Sequence, residues 1–264
     1  MPADALVLTL IAAVIHAAWN AGLAGAPDVR ATTAAAAVCG AVLLAPFGLL
    51  AWDVEAGAWP YLGGAIVAEV AYLALLAAAY ARAEMSVVYP IARGSAPVLV
   101  LVVAGASLLQ GVGVLVVCAG VLAVRGLQRP ESATDLLLAL GIGVTIATYT
   151  LLDKEGLRHA ATVPYLWVEL SAAGLAYAAF VGVRRVRSAL SVRTAVIGAG
   201  TFASYGLVLA ALELAPAPAV AAVRETSILF AVALGVLWLG ERVSSARAGG
   251  AIAVVAGVVL VAVG

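Results

Sequence analysis

Apolar residues fill this chain in long runs that brief polar breaks interrupt. Crossing the hydrocarbon core of a bilayer takes about 20 predominantly apolar residues in a helix. Ten stretches approach that length, near 4–24, 31–52, 58–81, 85–104, 107–124, 135–152, 162–183, 194–214, 216–239 and 245–264. The breaks are short and charged: Pro27-Asp28-Val29-Arg30, Asp53-Val54-Glu55, Arg82-Ala83-Glu84, then the stretch from Arg125 to Asp135. The Arg184-Arg185-Val186-Arg187 cluster and Glu241-Arg242 follow. None of them can hold a soluble domain. The pattern predicts an all-α polytopic membrane protein of ten transmembrane helices. One boundary is faint, because residues 94–124 carry no charge and only Ser107 and Gln110 suggest a turn there.

An internal repeat resolves that boundary. The run PIARGSAPVLVLV lies against AAVRETSILFAVA, which sets Arg93 on Arg224. Trp19-Asn20 falls on Tyr149-Thr150, and CAGVLAV falls on VAGVVLV, which sets Gly120 on Gly257. The second copy is longer by the LGER stretch at residues 239–242, so what the first copy lacks is a loop. The fourth and fifth spans are therefore expected as two helices joined by a tight turn. The halves become 1–128 and 129–264, with five helices each. An odd number of crossings inverts the second copy relative to the first. Inverted repeats of this kind are widespread in secondary transporters, whose sites lie near the midplane at the repeat interface.

Composition agrees with lipid as the main solvent. Hydrophobic residues make up 65% of the chain and charged residues 11%, about half the charge of a soluble domain. Formal net charge is zero, which gives no electrostatic reason to expect a nucleic-acid partner. Cys39 and Cys118 both lie in apolar runs, so neither a disulfide framework nor a metal site is expected, and no cofactor is implied. The opening MPADALVLTL lacks a basic signal-peptide start, so its apolar run is expected to remain as the first helix.

Against this background the informative residues are the ionisable ones within spans: His16, Glu69, Arg93, Glu169, Arg224 and Glu225. A charge at the bilayer centre costs about 2.5–3.5 kcal/mol on insertion scales, so such groups face a bundle interior or a wet cavity. Arg93 and Arg224 are repeat equivalents, and two guanidiniums near one midplane suit an anionic or zwitterionic substrate. The alternative is structural pairing, Arg93 with Glu69 and Arg224 with Glu225 or Glu169. Glu69 and Glu169 have aromatic companions, Tyr72 for the first, Tyr165 and Trp167 for the second. Burial disfavours an ionised carboxylate, which makes the two glutamates candidates for proton coupling or, alternatively, plain counter-ions. His16, Trp19 and Asn20 share a helical face at i, i+3 and i+4, as a cavity wall would. Interhelical hydrogen bonding is an equal role for Asn20. Tyr89-Pro90 and Pro97 flank Arg93, while Pro216 and Pro218 open the matching span; each Pro can kink a helix and free carbonyls toward a cavity. Asp153-Lys154, at the end of its span, reads as an interfacial pair. Tyr149 and Tyr205 complete the expected substrate-binding set with His16, Trp19, Asn20, Tyr72, Tyr89, Arg93, Arg224 and Glu225.

With HAAWN near the start, SVVYPIARGSAP in the fourth span and VAAVRETSILFAVALGVLWLGER in the second half, the chain resembles the drug/metabolite transporter superfamily in its EamA-type group. The likeness covers essentially the whole chain. It implies ten helices in two EamA repeats and movement of small metabolites, with a small-molecule substrate and the lipid bilayer as the partners. Two features depart from the group: the missing LGER-like turn in the first half, and Ala24 in place of a Lys at the end of the first helix.

The leading expectation is a secondary-active transporter, an exporter of small polar or amphipathic metabolites in a bacterial inner membrane, acting as monomer or homodimer. The competing class is a polytopic membrane enzyme or a flippase of lipid-linked substrates. An enzyme would need a clustered nucleophile, metal ligands or an aspartate-rich motif, and the sequence offers none. Basic residues outside the spans fall unevenly. One face has only Lys154 and Arg158, whereas the other collects ten, among them Arg30, Arg184, Arg185 and Arg187. Basic loops stay cytoplasmic, so this asymmetry favours both termini outside.

Overall fold

The computed structural model describes residues 1–82, 85–125, 132–239 and 244–264. In chain order these form α1 (Ala3–Ala24), α2 (Val29–Leu50), a 3₁₀ turn at Ala56–Ala58, α3 (Trp59–Arg82), α4 (Met85–Ala104) and α5 (Leu108–Arg125). There follow α6 (Ala133–Gly156), α7 (Thr162–Val181), α8 (Val183–Ala189), α9 (Val192–Leu214), α10 (Ala217–Arg224), α11 (Ser227–Leu239) and α12 (Ser245–Val263). Among the described residues, eight segments are long and apolar enough to cross a membrane, α10 and α11 together forming one of them. α4 and α5 add shorter apolar stretches, Ile91–Ala104 and Leu108–Val124. Leu50, Phe47, Val102, Leu108 and Leu237 are exposed on the outside of the bundle, an apolar surface that suits acyl chains. The chain is a multi-pass membrane protein.

Local chemistry sets the ends of the helices. Asp28, Ser132 and Ser244 each cap a helix by accepting the amide of the residue three further on, and Ser191 forms a capping box with Thr194 ahead of α9. Between α4 and α5 only Gly105, Ala106 and Ser107 are left, and Gly105 takes φ 71°, a conformation that costs a residue with a Cβ. Ser107 Oγ then accepts the Gln110 amide at 3.2 Å to start α5. The extra LGER residues of the second half fall at 239–242, where 240–242 lie outside the described residues.

Three sequence expectations change. The span at 216–239 is not one helix: α10 stops at Arg224 and α11 starts at Ser227. The polar quartet Arg224-Glu225-Thr226-Ser227 causes the break, with the Glu225 and Thr226 amides bonding three residues back, to the carbonyls of Ala222 and Val223. The basic cluster at 184–187 is helical, forming α8 after Gly182 at φ 97°. Finally, α6 continues to Gly156, so Asp153-Lys154 is not an interfacial pair. The last turn of α6 is covered by α7 and α9, which leaves Asp153 fully buried, while Lys154 Nζ turns away to the carbonyls of Leu212 and Ala215.

α1 packs on α9, α2 on α7 and α9, α6 on α3 and α4, and α5 on α12. The connections gather at two faces. At one, the α1–α2 corner meets the start of α8, where Arg185 Nη2 donates to Asp28 at 2.7 Å. At the other, residues before α3 and before α7 join: the Glu55 amide donates to the His159 carbonyl and the Ala161 amide to the Asp53 carbonyl, both at 2.9 Å. Both chain ends lie at this second face, where the Met1 amino group donates to the Ala262 carbonyl at 2.7 Å.

Candidate functional site

A cavity of about 610 Å³ runs from the middle of the bundle toward the face that holds Asp28 and Arg185. Helices α1, α2, α3, α4, α6, α7, α9 and α10 all contribute to its wall. Its deep end gathers residues far apart in sequence: His16 and Trp19 from α1, Glu69 and Tyr72 from α3, Arg93 from α4. Tyr149 from α6, Tyr205 from α9 and Arg224 from α10 close it. Asn20 lines the wall further out, but its amide donates to the His16 carbonyl at 2.8 Å, within its own helix.

The break between α10 and α11 aims two adjacent residues at different targets. Glu225 points away from the cavity and pairs with Arg93, Nε to Oε2 at 3.1 Å; Arg93 also donates to Ser227 Oγ at 3.2 Å. Arg224 points into the cavity. Its Nη2 donates to the Tyr149 hydroxyl at 3.2 Å, and its guanidinium stands over the Tyr205 ring, 5.8 Å from the centroid. Neither of the pairings considered from sequence forms. Arg93 pairs with Glu225, and among the described residues no ion pair joins it to Glu69. Among the described residues no carboxylate lies within ion-pair distance of Arg224, although Glu225, Glu69 and Asp153 act on it from further away. The two arginines thus differ in their surroundings: Arg93 is in a direct ion pair, while Arg224 faces the cavity.

Around them the wall is aromatic. Tyr149 meets Tyr72 and Tyr205 edge-on, at 6.4 and 5.9 Å between centroids, and His16 meets Trp19 at 4.9 Å. Trp19 is fixed by donating to Ser204 Oγ at 3.2 Å, whereas His16 Nε2 has no partner among the described residues. Tyr89 is on α4, but its side chain is outside those described. Glu169 differs from the expectation that it would line the cavity. It is fully buried on α7 and absent from the lining, to which α7 gives Leu170, Ala173, Gly174 and Tyr177.

Asp153 is the residue that sequence reasoning misplaced. It accepts hydrogen bonds from Tyr165 at 3.2 Å and from Tyr205. A signal was present, since Asp153 follows Tyr149 by four residues and so shares its helix face.

At the cavity mouth, Arg185 and the Ala31 amide hold the Asp28 carboxyl below the usual carboxylate range, the Arg185 hydrogen bond being the larger cause. Because that value is depressed, the bridge persists through mild acid and is lost only as pH falls through it.

The Arg93–Glu225 pair is enclosed, with side chains 8% and 6% exposed. Removing one member of such a pair leaves the other's buried charge less well compensated. Glu225→Gln is expected to cost about 3 kcal/mol of stability, read as a lowered melting temperature in detergent. The double variant Arg93→Met with Glu225→Leu should recover most of it. A Glu225→Gln protein that melts like the wild type would show that the pair is hydrated.

Residues 134–263 match the EamA-like transporter family. A solved crystal structure superposes with a TM-score of 0.77, covering 100% of this chain and 99% of its own, at 16% identity, a likeness of fold. No curated protein matches the chain.

Proposed function

We propose that this chain, a member of the EamA-like transporter family through residues 134–263, is a secondary-active exporter in a bacterial inner membrane that moves small carboxylate-bearing metabolites by alternating access. The observation that carries the reading is Arg224: a buried guanidinium, aimed into a cavity, with no carboxylate within ion-pair distance among the described residues and Glu69 acting on it only from further away. A charge in that position calls for an opposite charge, and a bound cargo can provide it. Glu69 shares the cavity and offers a site for an ammonium, so a zwitterion fits as well as an anion. The tyrosines and Trp19 give flat surfaces for an apolar cargo body.

Helix pairing supports the inverted repeat of ten crossings. α1 on α9 and α6 on α3 are the same pair once the halves are exchanged, and α2 on α7 and α5 on α12 exchange into themselves. The same exchange relates the Asp28–Arg185 contact at the cavity mouth to the backbone joint between Val54 and Ala160 at the closed face. Two equivalent closures on opposite faces, one sealed and one beside an open cavity, are what alternating access requires. The mouth lies on the face rich in arginine, which the positive-inside rule assigns to the cytoplasm. Cargo would then load from the cytoplasm, as export demands.

The test compares three probes of similar shape and different charge, 3-phenylpropionate, phenylalanine and phenethylammonium, by calorimetry on the purified protein in detergent. The two carboxylates are expected to bind and phenethylammonium is not, with about a tenfold or greater margin from the charge-assisted contact. Preferred binding of phenethylammonium would sink the reading.

A further inference from the structure

Two buried carboxyls lie outside the cavity, on the far side of the wall that Tyr205 forms. Glu169 on α7 is fully buried there, and neither of its carboxylate oxygens has a hydrogen-bond partner among the described residues. Asp153 on α6 is equally sealed and accepts from Tyr165 and Tyr205. Neither carboxyl lines the cargo cavity. The titratable groups that face the two are Glu69 from α3, Tyr165 from α7, Tyr205 from α9 and Arg224 from α10.

A carboxylate shut away from water needs donors or a cation. Asp153 has two phenols, but Glu169 has neither a donor nor a basic neighbour in contact among the described residues. Among the described residues no three His, Cys, Asp or Glu side chains could hold a metal ion. A proton can neutralise the pair, since two nearby carboxyls do not both ionise readily away from water. We infer that Asp153 and Glu169 form a proton-binding site outside the cargo cavity, and that Tyr205 links its occupancy to Arg224.

The link is geometric. Tyr205 donates its hydroxyl to Asp153 and offers its ring to the Arg224 guanidinium at 5.8 Å. A proton taken from bulk water and shared by the pair, which Asp153 alone would not hold, reduces the charge on Asp153 and weakens its hold on the phenol. The ring beneath Arg224 is then free to shift, and Arg224, the cationic anchor for the cargo's carboxylate, shifts with it. When the proton returns to bulk water the phenol is held again. The coupling half of this inference rests on the carrier reading, and the proton site does not.

The experiment therefore has two arms, both on the full chain. In detergent, pH-difference infrared spectra should show a titrating carboxylic-acid band that is lost in Glu169→Gln and displaced in Tyr205→Phe. A band unchanged in both Glu169→Gln and Asp153→Asn overturns the site. In proteoliposomes with equal pH on both sides, phenylalanine exchange by the wild type should vary by up to about tenfold per pH unit across the titration. The profile should flatten in Glu169→Gln and move along the pH axis in Tyr205→Phe. A wild-type profile in Glu169→Gln overturns the coupling. If the infrared band behaves as expected while the wild type moves none of the three probes, the proton site stands and the carrier reading falls.

Discussion

Arg224→Lys is expected to lower transport of a carboxylate probe by about ten- to a hundredfold while the protein still reaches the membrane in near-normal amount. Lysine keeps the charge but loses the planar fork that grips both oxygens of a carboxylate, so the loss would lie in recognition rather than in net charge. Folding should tolerate the change because of what Arg224 touches. Its contacts are a tyrosine hydroxyl and a tyrosine ring, and no carboxylate within ion-pair reach among the described residues is stranded when it goes. Glu225, one residue on, is the opposite case, because its removal breaks a direct ion pair to a buried Arg93. Arg224→Ala should therefore fold better and transport worse than Glu225→Gln. The measurements are membrane abundance, melting temperature and proteoliposome uptake of phenylalanine or 3-phenylpropionate. If Arg224→Lys transports like the wild type, or if Arg224→Ala fails to accumulate in the membrane, the arginine is structural and the binding site lies elsewhere.

The helices were largely readable from sequence because lipid imposes one simple demand, a long apolar run for each crossing. Even the α4–α5 turn, with no charge to mark it, follows from aligning the halves, and it falls at Gly105 to Ser107. Cavity residues such as His16, Trp19, Glu69 and Tyr149 were legible for the converse reason, since polar groups at that depth need a wet or paired place. What could not be read was partnership. Arg93 and Glu225 are far apart in the chain, and only the packing of α4 against α10 brings them together. Nothing in the order Arg224-Glu225 says which of the two faces the cavity; the break after α10 decides it. Glu169 and Asp153 show the same limit from the other side. Both read as polar groups near a span, yet a turn of helix sends Glu169 behind the wall, and the longer α6 draws Asp153 away from the interface. Depth in the membrane is written in the local sequence, while the direction a side chain faces depends on its neighbours.

The largest effect on folding should come from Gly198. α2 and α9 cross so closely that a Cβ at Gly198 would stand 2.2 Å from the Ala36 carbonyl oxygen and 2.9 Å from the Gly40 amide nitrogen. Those are backbone atoms inside a helix, so no side-chain rotation relieves the clash and the two helices must part. Overpacking of this kind costs about 1–3 kcal/mol where side chains can adjust, and Gly198→Ala should reach or exceed the top of that range. Gly40 faces it across the crossing, but its Cβ would first meet the Phe202 ring, which has some room to turn, so Gly40→Ala should cost less. A methyl group at Gly63 on α3 would meet nothing within 4 Å, and Gly63→Ala should hold or raise stability by up to about 1 kcal/mol through helix propensity. The expected order of melting temperatures in detergent is therefore Gly63→Ala at or above wild type, then Gly40→Ala, then Gly198→Ala. Function should follow, since α2 gives the cavity Thr33, Ala36 and Ala37 while α9 gives it Thr201, Ser204 and Tyr205. Parting these helices opens the wall that carries Tyr205, so Gly198→Ala should lose probe binding even in the fraction that stays monodisperse. A Gly198→Ala protein that melts and binds like the wild type would mean that α2 and α9 do not cross this closely, and the cavity drawn between them would have to be abandoned.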